Sequence, residues 1–316
     1  MSRPTLSVVV PIFNESDCFP QLFARLLELR PRLEPDTLEI LFVNDGSTDG
    51  TDLLLEDAAK TCPIVKVLHF SRNFGHQAAL TAGLDYADGH FVCIIDGDLQ
   101  DPPEIIPDML ARAREGFDIV YGQRRQRTGD TIFKRATAAA FYRLLAIMCR
   151  VEIPVDTGDF RLVTRRVVEA FRRMRESHRF IRGMVPWLGF RSSAFLYDRQ
   201  QRAAGETKFP LMKMLHFAMD AMLSFSNLPL RLATVLGVLM TSASVMGMIV
   251  ILYLRLFTRY TVPGISAVIF LILLTAGVQC IILGMIGGYI GRIFEETKHR
   301  PLYIVATTTN VELQQP

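Results

Sequence analysis

Three carboxylates and an amide fall within six residues in Asp96-Gly97-Asp98-Leu99-Gln100-Asp101, with Pro102 and Pro103 directly after. Their oxygens are hard donors, the kind that Mg2+ or Mn2+ takes. Asp96, Asp98 and Gln100 alternate, so an extended segment would turn all three to one side. Two or three such oxygens hold a divalent cation and leave positions open for phosphates and water. Without a cation, clustered carboxylates repel one another and their pKa values rise. The competing reading is a solvated acidic turn ahead of a helix starting near Pro103. Gly97 lets the backbone come close to a ligand, and Asp101 suits helix capping.

A second acidic turn, Asp45-Gly-Ser-Thr-Asp-Gly-Thr, follows an apolar run. Asp45, Asp49, Gly50 and Glu56 fit positions 1, 5, 6 and 12 of a calcium loop. Ser47 is a weak third ligand, however, and a strand rather than a helix precedes the turn. A strand-to-helix turn fits better, with Ser47 or Thr48 capping the helix and Asp45 accepting hydrogen bonds from a base or ribose. Arg124, Arg125, Arg127, Lys134 and Arg135 form a basic run suited to phosphates. Asp156, Asp159 and Arg161 follow in DTGDFRLV, and Arg202, Gly205, Glu206, Thr207 and Lys208 in RAAGETK. The six His form no spaced pair and read as structural. There is no GxGxxG on the first strand, no phosphate-binding GxxxxGK[ST] and no GxSxG.

The elements that must carry these residues alternate. Val- and Ile-rich runs at Leu6–Phe13, Leu38–Val43, Ile64–Phe70, Phe91–Ile95 and Phe117–Tyr121 read as strands. Helical patterns lie at Pro20–Leu29, Thr51–Ala59, Gln77–Ala87 and Pro103–Arg114. Such alternation predicts an α/β fold, a parallel sheet with helices on both faces. Ligands of such sheets bind beyond the carboxyl ends of the strands. The segments at those ends are Pro11–Glu15, Asn44–Ser47, Ser71–Gly75 and Asp96–Asp101.

The rest of the chain is of another kind. Leu232–Leu254 (23 residues) and Gly264–Gly291 (28 residues) contain no charge, and charged residues bracket both. About 20 apolar residues cross a bilayer, so two spans are expected, with buried core helices as the alternative. A short connection and the flanking Lys and Arg place both termini in the cytoplasm. Gly284/Gly288 and Gly287/Gly291 allow close helix approach, within one chain or between copies. Phe209–Asn227 has an apolar stripe suited to a helix in the membrane interface, or to an ordinary core-facing helix. Half of the 316 residues are hydrophobic, 21% are charged and the net charge is +3. That excludes a disordered chain and gives no support to nucleic-acid binding. Five Cys without paired spacing suggest neither a disulfide framework nor a zinc site.

VVVPIFNE, VNDGSTDGT, FSRNFGHQAAL, IIDGDLQDPPE, TGDFRLV and RAAGETK, in this order, resemble the GT-A, family-2 inverting glycosyltransferases. With the two apolar runs and GGYIGRIFEETKHRPLY, the chain resembles the polyprenyl-phosphate glycosyltransferases, which include bactoprenol glucosyltransferases and dolichol-phosphate mannose synthases. The resemblance implies a GT-A (Rossmann-like) domain over 1–207, an interfacial helix over 208–228, two spans within 229–292 and a cytoplasmic tail over 293–316. It implies that Pro11, Phe13, Glu15 and Asp45 line the nucleotide pocket. Asp96 would sit by nucleotide and metal, and Asp98 and Gln100 would bind Mg2+ or Mn2+. Arg124, Arg135, Arg202 and Lys208 would hold phosphates of donor or acceptor. Asp159 stands at the position of the family's catalytic acidic residue. The implied reaction moves a hexose from a nucleotide-sugar donor to a polyprenyl phosphate at the inner cell membrane. UDP-glucose is the first choice; GDP-mannose, UDP-GlcNAc and modified arabinose donors are the alternatives. A processive polysaccharide synthase would need more spans and a QxxRW motif, and a scaffold with a decayed domain would not keep Asp96, Asp98 and Gln100.

Overall fold

The computed structural model describes residues 3–125, 157–177, 179–198, 228–257 and 264–311. The chain divides into two compact units. The first holds the strands and, unexpectedly, Arg300–Pro316; the second holds Pro210–His299 and a short earlier piece.

In the first unit, β1 (Leu6–Ile12) and β2 (Leu38–Asn44) are buried along their whole length. Largely apolar runs of this kind, interrupted at Ser7 and Glu39, suit strands covered on both faces. β1 pairs in parallel with β2 and with β4 (Phe91–Ile94), and β2 with β3 (Val65–Phe70). The helices between them bury the residues that a 3.6-residue period puts on one face. In α1 (Phe19–Leu27) these are Phe19, Leu22 and Leu26. A short α2 (Leu29–Leu33) follows, and α3 (Thr51–Thr61) buries Leu55, Ala58 and Ala59. α4 (His76–Tyr86) lies so close on β1 that a Cβ at Gly83 would stand 2.1 Å from Val9 Cγ1. A 3-10 turn (Pro103–Ile105) leads into α5 (Ile106–Arg114).

The sheet is mixed, not wholly parallel as the alternation predicts. Its order is β7-β5-β6-β4-β1-β2-β3-β8. β5 (Ile119–Arg124) runs parallel to β7 (Ser192–Tyr197). β6 (Thr157–Thr164) is antiparallel to both β4 and β5. β6 is followed by α6 (Arg165–Arg172) and α7 (Ile181–Trp187). Residues 293–316 are expected to form a tail, whereas β8 (Val305–Thr309) pairs antiparallel with β3 at that edge of the sheet.

The second unit contains α8 (Leu228–Phe257, 30 residues) and α9 (Ile265–Thr297, 33 residues). Both predicted spans are therefore helical. By length and composition, one described stretch, Leu274–Thr297, suffices to cross a membrane, and none of that stretch is buried within the protein. Ala233–Gly247 is a shorter apolar stretch. Val235, Leu239, Met246, Ile249, Ile281 and Ile290 are exposed, the condition expected of side chains that face lipid. The predicted interfacial helix lies outside the described residues.

Candidate active site

The carboxyl ends of β1, β2 and β4 and the start of α4 bring the first group of residues together. Asp45, directly after β2, is 3% exposed. Its Oδ1 accepts the backbone N–H of Phe74 at 2.7 Å and its Oδ2 that of Gly75 at 3.0 Å. Burial raises its pKa against the pull of those two bonds. Gly46 makes the contact feasible: at φ +71° it lies where a Cβ would meet the Arg72 carbonyl carbon at 2.6 Å. Asp45 therefore fastens the Ser71–Gly75 loop to β2.

The capping expected of Ser47 or Thr48 is absent. α3 starts at Thr51 behind Gly50, and Asp49 accepts from Thr51 N and Oγ1. Ser47 Oγ instead accepts from Asn14 N, and Thr48 N donates to Asn14 Oδ1. Asp45, Asp49 and Glu56 serve different partners, Glu56 accepting from Thr309, so no calcium loop forms. Pro11 is buried in β1, Phe13 is 45% exposed, and Glu15 N donates to Thr51 Oγ1.

β4 ends at Ile94, two residues before Asp96. Gly97 and Asp98 form a turn and Leu99 has φ +61°. Asp96, Asp98 and Gln100 thus stand on a turn rather than on an extended segment. A Cβ at Gly97 would meet Pro11 O at 3.2 Å, so the close neighbour that glycine accommodates is β1. Gln100 N donates to Asp98 Oδ1. Asp101 does not cap a helix: it is 1% exposed and accepts from Tyr197 OH at 2.5 Å.

A second group centres on Asp159 in β6, which is 1% exposed. Arg182, on α7, donates from Nε to Oδ1 at 2.9 Å and from Nη2 to Oδ2 at 2.8 Å, a bidentate pair. His76 Nε2 lies 3.2 Å from Oδ2; a carboxylate only accepts, so the ring proton sits on Nε2. Arg161 Nη2 stands 3.8 Å away, and the same guanidinium donates to the carbonyls of Asp159 and Gly158. Burial pushes the Asp159 carboxyl up, but the bonds from His76 and Arg182 and the charges of Arg182 and Arg161 hold it far below the usual range. Burial likewise opposes the charged form of His76, yet Asp159 and Asp96 together raise its pKa.

Asp96 is the counterpart. Its Oδ1 is buried without a hydrogen-bond partner, 3.6 Å from His76 Nε2. Burial pushes its pKa up to about 7; His76 works against this, and Asp159, Asp101 and Asp98 add to it. His76, Asp96 and Asp159 offer atoms within 4.8 Å of one another. Asp159 is already engaged by Arg182 and His76, so a metal fits the Asp96 side better. There an orphan oxygen and adjacent like charges are what a divalent ion would relieve.

Arg124, at the end of β5, lies beside Tyr197 and Gly158, with Nε buried and unpaired. Arg135, Arg202 and Lys208, along with Arg127 and Lys134, lie outside the described residues. His76 and Arg182 are the two site residues that the sequence reading passes over. His76 has a sequence signal, since it directly follows Ser71–Gly75 at the end of β3. Arg182 carries no local signal. The described cysteines, Cys18, Cys62, Cys93 and Cys280, are free.

An α/β sheet whose acidic turns gather at the carboxyl ends of β1, β2 and β4, with an antiparallel β6 beside them, is the GT-A architecture of nucleotide-sugar transferases. The family model for "Glycosyl transferase family 2" matches residues 7–172, and the chain belongs to that family. It is 48% identical to the uncharacterized glycosyltransferase YkcC of Bacillus subtilis (strain 168), over 97% of this chain and 94% of that one. It is 40% identical to the bactoprenol glucosyl transferase of Shigella phage SfV, over 95% and 97% of the two chains. Among solved structures it is similar to glucosyl-3-phosphoglycerate synthase from Mycobacterium tuberculosis in complex with Mn2+, UDP and phosphoglyceric acid. That likeness has a TM-score of 0.50 and 20% identity, covers 70% of this chain and 76% of that one, and is a likeness of fold.

Proposed function

We propose that this glycosyltransferase moves glucose from UDP-glucose to a membrane polyprenyl phosphate, with inversion at the anomeric carbon. The near full-length similarity to a bactoprenol glucosyl transferase supports acceptor and sugar. The observation that carries the chemistry is the pairing of an unsatisfied Asp96 oxygen with a fully satisfied Asp159.

Asp96, with Asp98 and Gln100 on the same turn, would hold Mg2+ or Mn2+. When bound, such an ion neutralises charge that builds on a departing nucleotide diphosphate. Asp45 fixes the Ser71–Gly75 loop beside the pocket that Pro11, Phe13 and Glu15 would line. Arg124 offers its guanidinium to a phosphate of donor or acceptor, as would Arg135, Arg202 and Lys208. A phosphate monoester has a second pKa near about 6, so such an acceptor is already largely ionised at neutral pH. A strong base is then unnecessary. An Asp159 held ionised by Arg182 and His76 makes a poor proton acceptor. We assign it to orienting those two side chains toward the acceptor.

α8 and α9 would anchor the enzyme in the inner membrane, termini in the cytoplasm, where a long isoprenoid is retained at about 0.8 kcal/mol per buried CH2. Self-association would run through the glycines of α9.

Purified full-length protein, polyprenyl phosphate, Mg2+ or Mn2+ and a panel of nucleotide sugars test the reading. UDP-glucose should give a lipid-linked product, and excess chelator should stop it. Full-rate transfer in chelator sinks the metal assignment, and product from another donor alone sinks the glucosyl one. Asp159→Asn should slow turnover by about 100-fold without erasing it. Loss of all activity at every pH, with both substrates still bound, would rule out a purely orienting role.

A further inference from the structure

The residues after α9 do more than close a sheet edge. Tyr303 stacks on Phe70 at 5.2 Å between ring centroids, 12° from parallel. Phe70 in turn meets Phe74 edge to face at 5.6 Å, and Phe74 N–H is one of the two donors that fix Asp45. At its other end, Tyr303 OH donates to Asp85 Oδ2 at 2.8 Å, the oxygen that Arg175 also holds at 2.7 Å. Phe70 precedes the Ser71–Gly75 loop, and Asp85 lies in the last turn of α4. One side chain therefore grips both ends of the segment that carries Phe74, Gly75 and His76. The backbone repeats the grip, with Ser71 N donating to Ile304 O at 3.0 Å. The β3/β8 register shifts between His69 and Phe70, where Phe70 faces Val305 and His69 faces Thr307. The extra residue, Ala306, lies in β8, so the irregularity of the pair falls just where the loop departs.

We infer that Tyr303 is a positioning residue for donor binding, holding the Ser71–His76 segment in place against Asp45 by its stack on Phe70 and its bond to Asp85. An edge strand that served only to block aggregation would need none of this. The other anchors in and after β8 show the difference: Thr309 donates to Glu56, and Asn310 to the carbonyls of Ala59 and Val65, none of them a residue of the loop. The inference rests on the nucleotide-sugar reading above.

The test is titration of UDP, with Mn2+, into full-length protein. Tyr303→Leu removes stack and hydroxyl and should weaken UDP binding about tenfold, at the upper end for an aromatic pair. Tyr303→Phe keeps the stack and should lose no more than about threefold. The KM for polyprenyl phosphate should stay at the wild-type value in both. Thr309→Val should lower the melting temperature and leave UDP binding unchanged. Phe70→Leu breaks the same stack from the other side. It should match Tyr303→Leu, with no further loss in the double variant, and it replaces that variant should Tyr303→Leu not fold. UDP binding at wild-type strength in the folded stack variants overturns the positioning role alone. A wild type that binds no UDP overturns the nucleotide reading and this inference with it.

Discussion

The same strands carry two polar clusters, one at each end, and the two are built on opposite terms. At the amino ends, Ser7 of β1 donates to Glu39 Oε1 of β2 at 2.8 Å, and Asp88 N donates to that same oxygen. Lys66 of β3 closes the set, 2.8 Å from Glu39 Oε2 and 2.9 Å from Asp88 Oδ2. Gly89 N donates to Ser7 Oγ. Every charge there meets its opposite. At the carboxyl ends, Asp96 keeps a buried oxygen without a hydrogen bond, 3.6 Å from His76 Nε2, and three other carboxylates help to push its pKa up. A polar group buried and satisfied supports the fold; one buried and left unsatisfied costs stability, and persists where a ligand completes it.

The largest expected effect tests the unsatisfied end. Asp96→Asn should cut turnover by about a thousandfold, the scale of losing a preorganised electrostatic group, yet leave the metal-free melting temperature unchanged or higher. The sign follows from the raised pKa. A carboxyl whose folded pKa lies above its unfolded one loses stability as pH rises from the unfolded value, about 4, to the folded one, about 7, and the full cost is present above that. A clear drop in melting temperature with activity retained would erase the contrast between the two ends.

The satisfied end should respond the other way. Lys66→Met strands Glu39, which is 4% exposed. It should cost about 3 kcal/mol in denaturant unfolding, while kcat/KM per folded molecule stays at the wild-type value. Next in size, Arg182→Lys exchanges a bidentate clamp for a single point charge. It should lower kcat by about 10- to 100-fold with little change in melting temperature; equal loss of stability would make Arg182 a fold residue.

The smallest effect sharpens the boundary between the ends. Asp49 accepts from Thr51 and Ser16, and these bonds outweigh its desolvation and bring its pKa down to about 2. A depressed pKa contributes stability above the unfolded value, which is lost as pH falls through the folded one. Asp49→Asn should therefore lower the melting temperature by about 2 °C at pH 7. The difference should shrink between about pH 4 and pH 2.

What could be read in advance follows from the same physics. β1, β2 and β4 are legible because strands buried on both faces need largely apolar sequence, β3 because its Val, Leu and Phe outnumber Lys66 and His69, and α1, α3, α4 and α5 because one face of each is apolar. β6 was not, since Asp159 and Arg161 are buried charges in its middle and break the strand pattern. β8, Val-Ala-Thr-Thr-Thr, has no apolar periodicity and finds its partner far away in sequence. The metal-type turn was legible in residue type, but its shape was not: the positive φ at Leu99 carries no glycine to announce it. His76 and Arg182 meet Asp159 only in three dimensions, across 83 and 23 residues.

The last strand also sets a timetable for biogenesis. Asn310 bonds to Val65, 245 residues upstream, so the outer flank of β3 stays open while those residues are made. At ~5–20 residues per second that interval lasts roughly 10–50 s. Both apolar helices leave the ribosome within it, before the catalytic sheet is complete. A message that stops between codons 298 and 304 would yield a chain that carries its apolar helices and still lacks the clasp of β8.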